Sequence, residues 1–348
     1  MKTATIIDLV VPTNITTTSI NHIIKQHHIS QRMRRKLKND GIITINGNIA
    51  SWDTLVHSND HLVISIAPEQ EFELTPMSLD IVYEDEYILA INKAPGILMH
   101  PTSTVRTGTL ANGVLHYYKE TNQAHDFHPL HRLDKDTSGI VIIAKTAVVQ
   151  HAFEKQHIRF HKIYNAIIEG HVPSTQLTIN WPIARKEGSI IERCCSKSGK
   201  TARTDITVLE YIRLSQPKAP LDYADKNITA QLKNITAQLV EKKKYLKQDT
   251  SKLTHIQCHL HTGRTHQIRV HLSYLGYPLA GDDIYGGSLN YIQRQALHAG
   301  LLAFIHPITQ EYIELRAPLP QDMLQLIRKQ KHPSTVDNKS TTVTKSNS

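Results

Sequence analysis

The chain is predicted to be an α+β protein, and three features of the sequence carry that prediction. Short runs rich in β-branched residues recur along most of its length, Ile140 to Ala144 being the most continuous. Helical patterns are few and fall at no regular interval between these runs, so a βαβ rhythm is missing and a mixed, mainly antiparallel sheet is expected. A polar, acidic stretch, Pro68 to Pro76, sets a small α+β module of residues 1–70 apart from everything that follows.

At 348 residues the chain has room for about two domains at roughly 150 residues each. Hydrophobic residues make up 40%, enough for a real core, and no apolar run approaches the roughly 20 residues a membrane helix needs. Asp8 and Asn14 interrupt any signal-peptide core. Cys194, Cys195 and Cys258 have no metal-type spacing and two of them are adjacent, so no disulfide framework is expected and a reducing cytoplasm is the simplest setting. The net charge of +9, with 22 His in reserve, suits a polyanionic partner, because neutralised phosphates release counterions.

Within residues 1–70, Ile20, Ile23, Ile24, Ile29, Met33 and Leu37 recur at spacings of short amphipathic helices. Arg32, Arg34, Arg35, Lys36 and Lys38 form a basic cluster among them. Such runs are usually solvated helix faces, but this one stands beside a strand, Gly41 to Ile45, and an Asn46-Gly47 hairpin turn. His57 to Ser65 closes the module with an alternating strand. Residues 71–76 are the linker, and 77–330 form the main domain, opening with Leu79 to Val82, a turn at Asp85-Glu86 and a strand to Lys93. Thr109 to Lys119 and Ala147 to His161 are expected helices; Tyr164 to Ile168 and Thr204 to Tyr211 are expected strands. His255 to His261 alternates polar and apolar residues, so a half-exposed strand is expected, followed by a helix from Thr265 to Leu275. Residues 215–250 carry a tandem copy of Asn-Ile-Thr-Ala-Gln-Leu on lysine-rich flanks and are expected to be a surface insert; 331–348 are too polar to bury anything and are expected to be disordered.

The chemistry centres on His131-Arg132-Leu133-Asp134-Lys135-Asp136-Thr137-Ser138-Gly139, which runs straight into the Ile140 strand. Thr137, Ser138 and Gly139 are turn formers, so Asp134 sits on a loop at a sheet edge, held by a rigid element. Taken alone, such a carboxylate is as readily a turn cap as a catalyst.

The segment resembles the catalytic motif of the pseudouridine synthases, in the branch that acts on large ribosomal RNA. Lys162-Ile163-Tyr164-Asn165-Ala166 with Gly170, Gly263-Arg264-Thr265-His266-Gln267-Ile268-Arg269-Val270-His271, and Leu297-His298-Ala299 with Phe304-Ile305-His306-Pro307 resemble three further signatures of that branch, in order. Together they cover residues 80 to 320. Ala94 stands where the family often has proline, and Pro95-Gly96 still supplies the break. The resemblance implies a long bent mixed sheet with helices on its outer faces, and no cofactor or metal. It further implies Asp134 as the catalytic carboxylate, Arg269 as its arginine partner and Tyr164 as the aromatic stacked on the base. Arg132 would enter the RNA or touch a phosphate, and Leu297 would be a pocket wall. The first 70 residues resemble the αL-type RNA-binding module found at the N-terminus of such enzymes. The implied reaction detaches uracil from ribose, turns it and rejoins it through carbon, on a nucleotide flipped out of structured RNA. Asp134 would attack the base, attack the sugar or deprotonate it. Ribosomal RNA is the expected partner, transfer RNA the alternative, with a monomeric enzyme and no membrane partner.

Two other classes find weaker support in the sequence. His125, His128 and His131 are evenly spaced, and His255, His259 and His261 share one strand face, as a zinc hydrolase could use. No HExxH-type motif accompanies them, and 22 His make chance clusters easy. A non-catalytic RNA-binding adaptor is disfavoured because Asp134, Tyr164 and Arg269 are all present.

Overall fold

The computed structural model describes residues 3–27, 29, 31–67, 72–213 and 252–328. The 215–250 insert, the 331–348 tail and the acidic start of the linker lie outside the described residues.

The first module runs β1 (Ala4–Val10), β2 (Thr17–Ser19), α1 (Ile20–Gln26), α2 (Gln31–Asp40), β3 (Ile42–Ile45), β4 (Asn48–Ala50), β5 (Leu55–His57) and β6 (His61–Ile66). Ser19 caps α1 by accepting from the His22 amide at 3.2 Å, satisfying one of the donors a helix start leaves free. Asn46 and Gly47 both take positive φ, +51° and +81°, the geometry a two-residue hairpin demands between β3 and β4. The helices bury Ile20, Ile23, Ile24, Ile29 and Leu37 against Ile43, Leu62 and Ile64 of a four-stranded sheet ordered β1-β6-β3-β4. Hydrophobic spacing had marked the helices; β1 carried no such signal.

The main domain runs β7 (Ile81–Glu84), β8 (Ile88–Lys93), α3 (Leu110–Glu120), β9 (His128–Pro129), β10 (Ser138–Ala144), α4 (Ala147–Lys155), β11 (His161–Glu169), β12 (Gln176–Ile179), β13 (Ile183–Arg185) and β14 (Arg193–Cys195). It continues with β15 (Thr204–Arg213), β16 (Lys252–Leu260), α5 (Gln267–Tyr274), β17 (Leu297–Ile305), β18 (Tyr312–Arg316) and α6 (Gln321–Arg328). Ten strands form one sheet along β12-β15-β16-β11-β17-β10-β8-β7, with β18 on β17 and β9 on β10. Every pairing is antiparallel except β10 with β17, so the expected mixed, mainly antiparallel α+β sheet is present.

Period-two alternation decides what each face covers. Tyr164, Ala166 and Ile168 of β11, with Ile256 and Cys258 of β16, share a core with Leu110 and Val114 of α3 and with Ile268 and Leu272 of α5. On the opposite face Ile140 and Ile142 pack with Val149 and Phe153 of α4, and Ile167 and Leu253 pack with Met323 and Leu326 of α6. The central strands are therefore covered on both sides. That explains why β16 is mostly buried rather than half-exposed as its alternation suggested: the polar side chains of its back face meet partners instead of water. The helix expected to reach His161 stops at Lys155. His157 turns left-handed (φ +51°), and β11 starts at His161, earlier than its apolar run indicated. Strands β15 and β16 pair from Thr204↔Leu260 to Arg213↔Lys252, so residues 214–251 connect a hairpin.

Candidate active site

Asp134 lies in a tight turn: the Thr137 amide donates to its carbonyl at 3.2 Å, and the chain then enters β10, buried along its whole length. Gly139 makes that entry possible. Its φ is +114°, and a Cβ there would stand 2.3 Å from the Ala299 carbonyl oxygen, where β10 meets β17 in parallel. Lys93, fully buried at the end of β8, ties the loop down from below. Its Nζ donates to the carbonyls of Ala94 (2.8 Å), Ile97 (3.1 Å) and Lys135 (2.9 Å), using all three hydrogens. Burial pulls its pKa down to about 8.

The Asp134 carboxylate is about one-fifth exposed and accepts from Arg269 Nη1 at 3.2 Å. Arg269 is itself almost closed off from solvent. Its Nε and Nη2 donate to the two oxygens of Asp282 at 2.7 and 2.8 Å, a bidentate brace around a fully buried carboxylate, and its guanidinium lies 5.0 Å from the centre of the Tyr285 ring. Burial opposes the charge on Arg269, but Asp282 and then Asp134 outweigh it and push its pKa up further. His266, left-handed at φ +57° just before α5, completes the cluster. Its Nδ1 meets the Tyr285 hydroxyl at 2.7 Å while its Nε2 stands 3.7 Å from Asp134. That hydroxyl also accepts from the Arg193 amide at 2.9 Å. Burial lowers the pKa of His266, and the Asp134 charge works against that.

These groups open into a cavity of about 330 Å³, within the range of small-ligand sites, lined also by Tyr164, Leu297, Arg132 and Lys162. Tyr164 and Leu297 are buried side chains of the wall; Arg132 is exposed at the rim. Burial, and secondarily Asp134, push the Tyr164 hydroxyl up, so it stays neutral. Burial pulls Lys162 down to about 8.

Five residues predicted from sequence, Arg132, Asp134, Tyr164, Arg269 and Leu297, thus meet around one cavity. The basic cluster falls on α2: Arg35 and Lys38 are exposed, Arg34 and Lys36 half-buried, while the Arg32 side chain lies outside the described residues. The sequence reading passed over Asp282, Tyr285, His266 and Lys162. The signal for the last two was inside the quoted motifs; the first two lie in the Gly281-Asp282-Asp283-Ile284-Tyr285-Gly286 segment, whose local pattern does not point to Arg269. The evenly spaced His125, His128 and His131 form no ligating group among the described residues, and His131 accepts from the Ile142 amide instead.

The structure thus joins a carboxylate, a braced guanidinium and a buried aromatic side chain around one cavity. A family profile described as RNA pseudouridylate synthase matches residues 87–274. The chain is 35% identical to the Bacillus subtilis protein named uncharacterized RNA pseudouridine synthase YjbO, over 87% of this chain and 96% of that one. It is 33% identical to the Pseudomonas aeruginosa protein named ribosomal large subunit pseudouridine synthase D, over 86% of this chain and 87% of that one. Among solved structures, human RNA pseudouridylate synthase domain containing 1 superposes with a TM-score of 0.50 at 25% identity, covering 70% of this chain and 86% of that one. The chain belongs to the RNA pseudouridylate synthase family and is an RNA-modifying isomerase. No helix among the described residues is long and apolar enough to cross a membrane.

Proposed function

We propose that this enzyme converts specific uridines of structured large-subunit ribosomal RNA to pseudouridine, with Asp134 as the catalytic carboxylate. The observation that carries the proposal is the chain Asp282–Arg269–Asp134: a guanidinium fixed from behind by one buried carboxylate presents its remaining nitrogen to a second one inside the cavity. Arg269 holds and orients the Asp134 carboxylate inside the cavity, as a group that must form or assist a bond at the uridine needs. The flipped base stacks on Tyr164, and Leu297 closes the apolar wall beneath it. Arg132 at the rim contacts the RNA backbone or the vacated stack. His266, its Nε2 3.7 Å from Asp134, and Lys162 add polar groups at the cavity mouth. The reaction is an internal exchange of a C–N for a C–C glycosidic bond and consumes no cofactor.

Residues 1–70 act as a separate RNA-gripping module through Arg32, Arg34, Arg35, Lys36 and Lys38 on or beside α2. The ribosomal reading rests on the relatives named as ribosomal large subunit pseudouridine synthases, which align along most of this chain, and on the net charge. The purified full chain should convert uridine in large-subunit ribosomal RNA transcripts and leave transfer RNA untouched. In cells, pseudouridine mapping of all stable RNA with and without the gene should lose ribosomal sites. Loss confined to transfer RNA would replace the substrate while leaving the reaction intact.

A further inference from the structure

Behind the sheet, on the face opposite Tyr164, three histidines and an aspartate come together that the isomerase reaction does not use. The register sets Asp205 of β15 directly opposite His259 of β16, whose other neighbour is Ile163 of β11. Alternation then puts His161, two residues before Ile163, and His261, two after His259, on that same face. The imidazoles form a row, with ring centres 4.4 Å apart from His161 to His259 and again from His259 to His261. One nitrogen each of His259 and His261 and one oxygen of Asp205 all lie within 4.8 Å of one another, and His261 Nε2 touches Asp205 Oδ2 at 2.6 Å.

Asp205 is already oriented as a metal-binding carboxylate would be. Thr178 Oγ1 donates to its Oδ1 at 2.8 Å, and Arg203 spans the carboxylate, Nε to Oδ1 and Nη2 to Oδ2, each at 3.3 Å, so Oδ2 faces His261 while also accepting from the guanidinium. Solvent-open clefts of about 420 and 580 Å³ flank the row, both bordered by His161 and His259, so a metal could enter and water or His161 could take a fourth position. By contrast His255, on the same strand face, is engaged by Glu210 and Asn165 and stands apart from the group.

We propose that His259, His261 and Asp205 form a binding site for a divalent transition metal of the zinc class, with His161 or water completing the shell. Two imidazoles and one carboxylate are a donor set for zinc, which binds such atoms at about 2.0–2.2 Å, and the three donor atoms here already stand within 4.8 Å of one another. The ion would clip β15 to the end of β16, two residues before the Gly263 loop leads into α5 and Arg269. It would act on the stability of that corner and not on the uridine, which binds on the other face.

The test uses the full chain with its purification tag removed, stripped with EDTA and titrated with zinc chloride by calorimetry. Metal content is measured by mass spectrometry. One zinc per chain is expected, with a higher melting temperature at equimolar zinc. His259→Ala should abolish stoichiometric binding and the thermal shift, while Asp205→Asn, which keeps the shape of its side chain, should weaken binding at least tenfold, in line with the roughly 10–100-fold effects seen around metal sites. Absence of stoichiometric binding in the wild type, or unchanged binding in both variants once each is shown to be folded by its metal-free melting curve, would overturn the proposal.

Discussion

Asp282→Asn isolates the brace behind Arg269 without replacing any residue that lines the cavity. In the native protein Arg269 gives Nε and Nη2 to the two Asp282 oxygens at 2.7 and 2.8 Å, with the carboxylate fully buried. The amide retains one acceptor and turns an NH₂ toward a guanidinium N–H, so one of the two bonds becomes donor against donor. Removing one partner of a buried pair costs about 3–5 kcal/mol. Asp134 remains 3.2 Å from Nη1 and one hydrogen bond survives, which places the expected loss near the lower end, about 3 kcal/mol. At about 2–4 °C per kcal/mol for a domain of this size, the melting temperature should fall by about 6–12 °C. Released from behind, Arg269 shifts toward Asp134, and a displacement of about 1 Å at a reacting group can cost on the order of 10²-fold in rate. Turnover is followed by tritium release from RNA labelled at uridine C5, since that carbon gives up its hydrogen when it bonds to the ribose. A variant that melts within about 2 °C of wild type and turns over within about threefold would refute the brace.

Tyr164→Ala should lose about 1–3 kcal/mol of base stacking, seen as a fall of about five- to 150-fold in kcat/KM, whereas Tyr164→Phe should keep most of it; equal activity of all three proteins would remove Tyr164 from the base-binding role. Gly139→Ala forces a Cβ to within 2.3 Å of the Ala299 carbonyl at a φ of +114°, so backbone strain and overpacking together should remove about 2–6 kcal/mol of stability; a melting curve unchanged from wild type would show that the strand contact yields. Glu169, whose carboxyl burial raises to about 7 against the opposing hydrogen bond from the Ser288 amide, gives a pH signature. Its folded pKa lies above its unfolded one, so the folded state holds the extra proton between pH 4.5 and about 7, and stability falls as pH rises through that window. Glu169→Gln should flatten this slope and raise the melting temperature at pH 8, and an unaltered slope on titrating both proteins would contradict it.

The parts of the fold legible in the sequence were those where one periodicity dominates. Ile140 to Ala144 announced a strand covered on both faces, and the 3–4 spacing of Ile20, Ile23 and Ile24 announced a helix, because in each case burial is set by the local pattern itself. The pattern misled where tertiary packing supplied partners. His255 looked like a solvent-facing position, but neighbouring strands bring Glu210 and Asn165 to it. The cavity residues were legible because they sit in contiguous motifs. Asp282 and Tyr285 were not, since their meaning comes from a fold that returns them to Arg269, and no local spacing encodes that meeting.

The central claim is that Asp134 performs the chemistry, and Asp134→Asn measured under single-turnover conditions tests it most directly. The amide preserves the shape of the side chain and can still accept from Arg269, so the variant should fold and bind its RNA with affinity close to wild type. Its rate of C5 tritium release should be undetectable, a loss on the order of 10⁴-fold or more, as expected when an enzyme loses a group that forms or breaks a bond. Release within about tenfold of wild type, from a protein shown to be folded and RNA-bound, would contradict the assignment of Asp134 as the catalytic carboxylate.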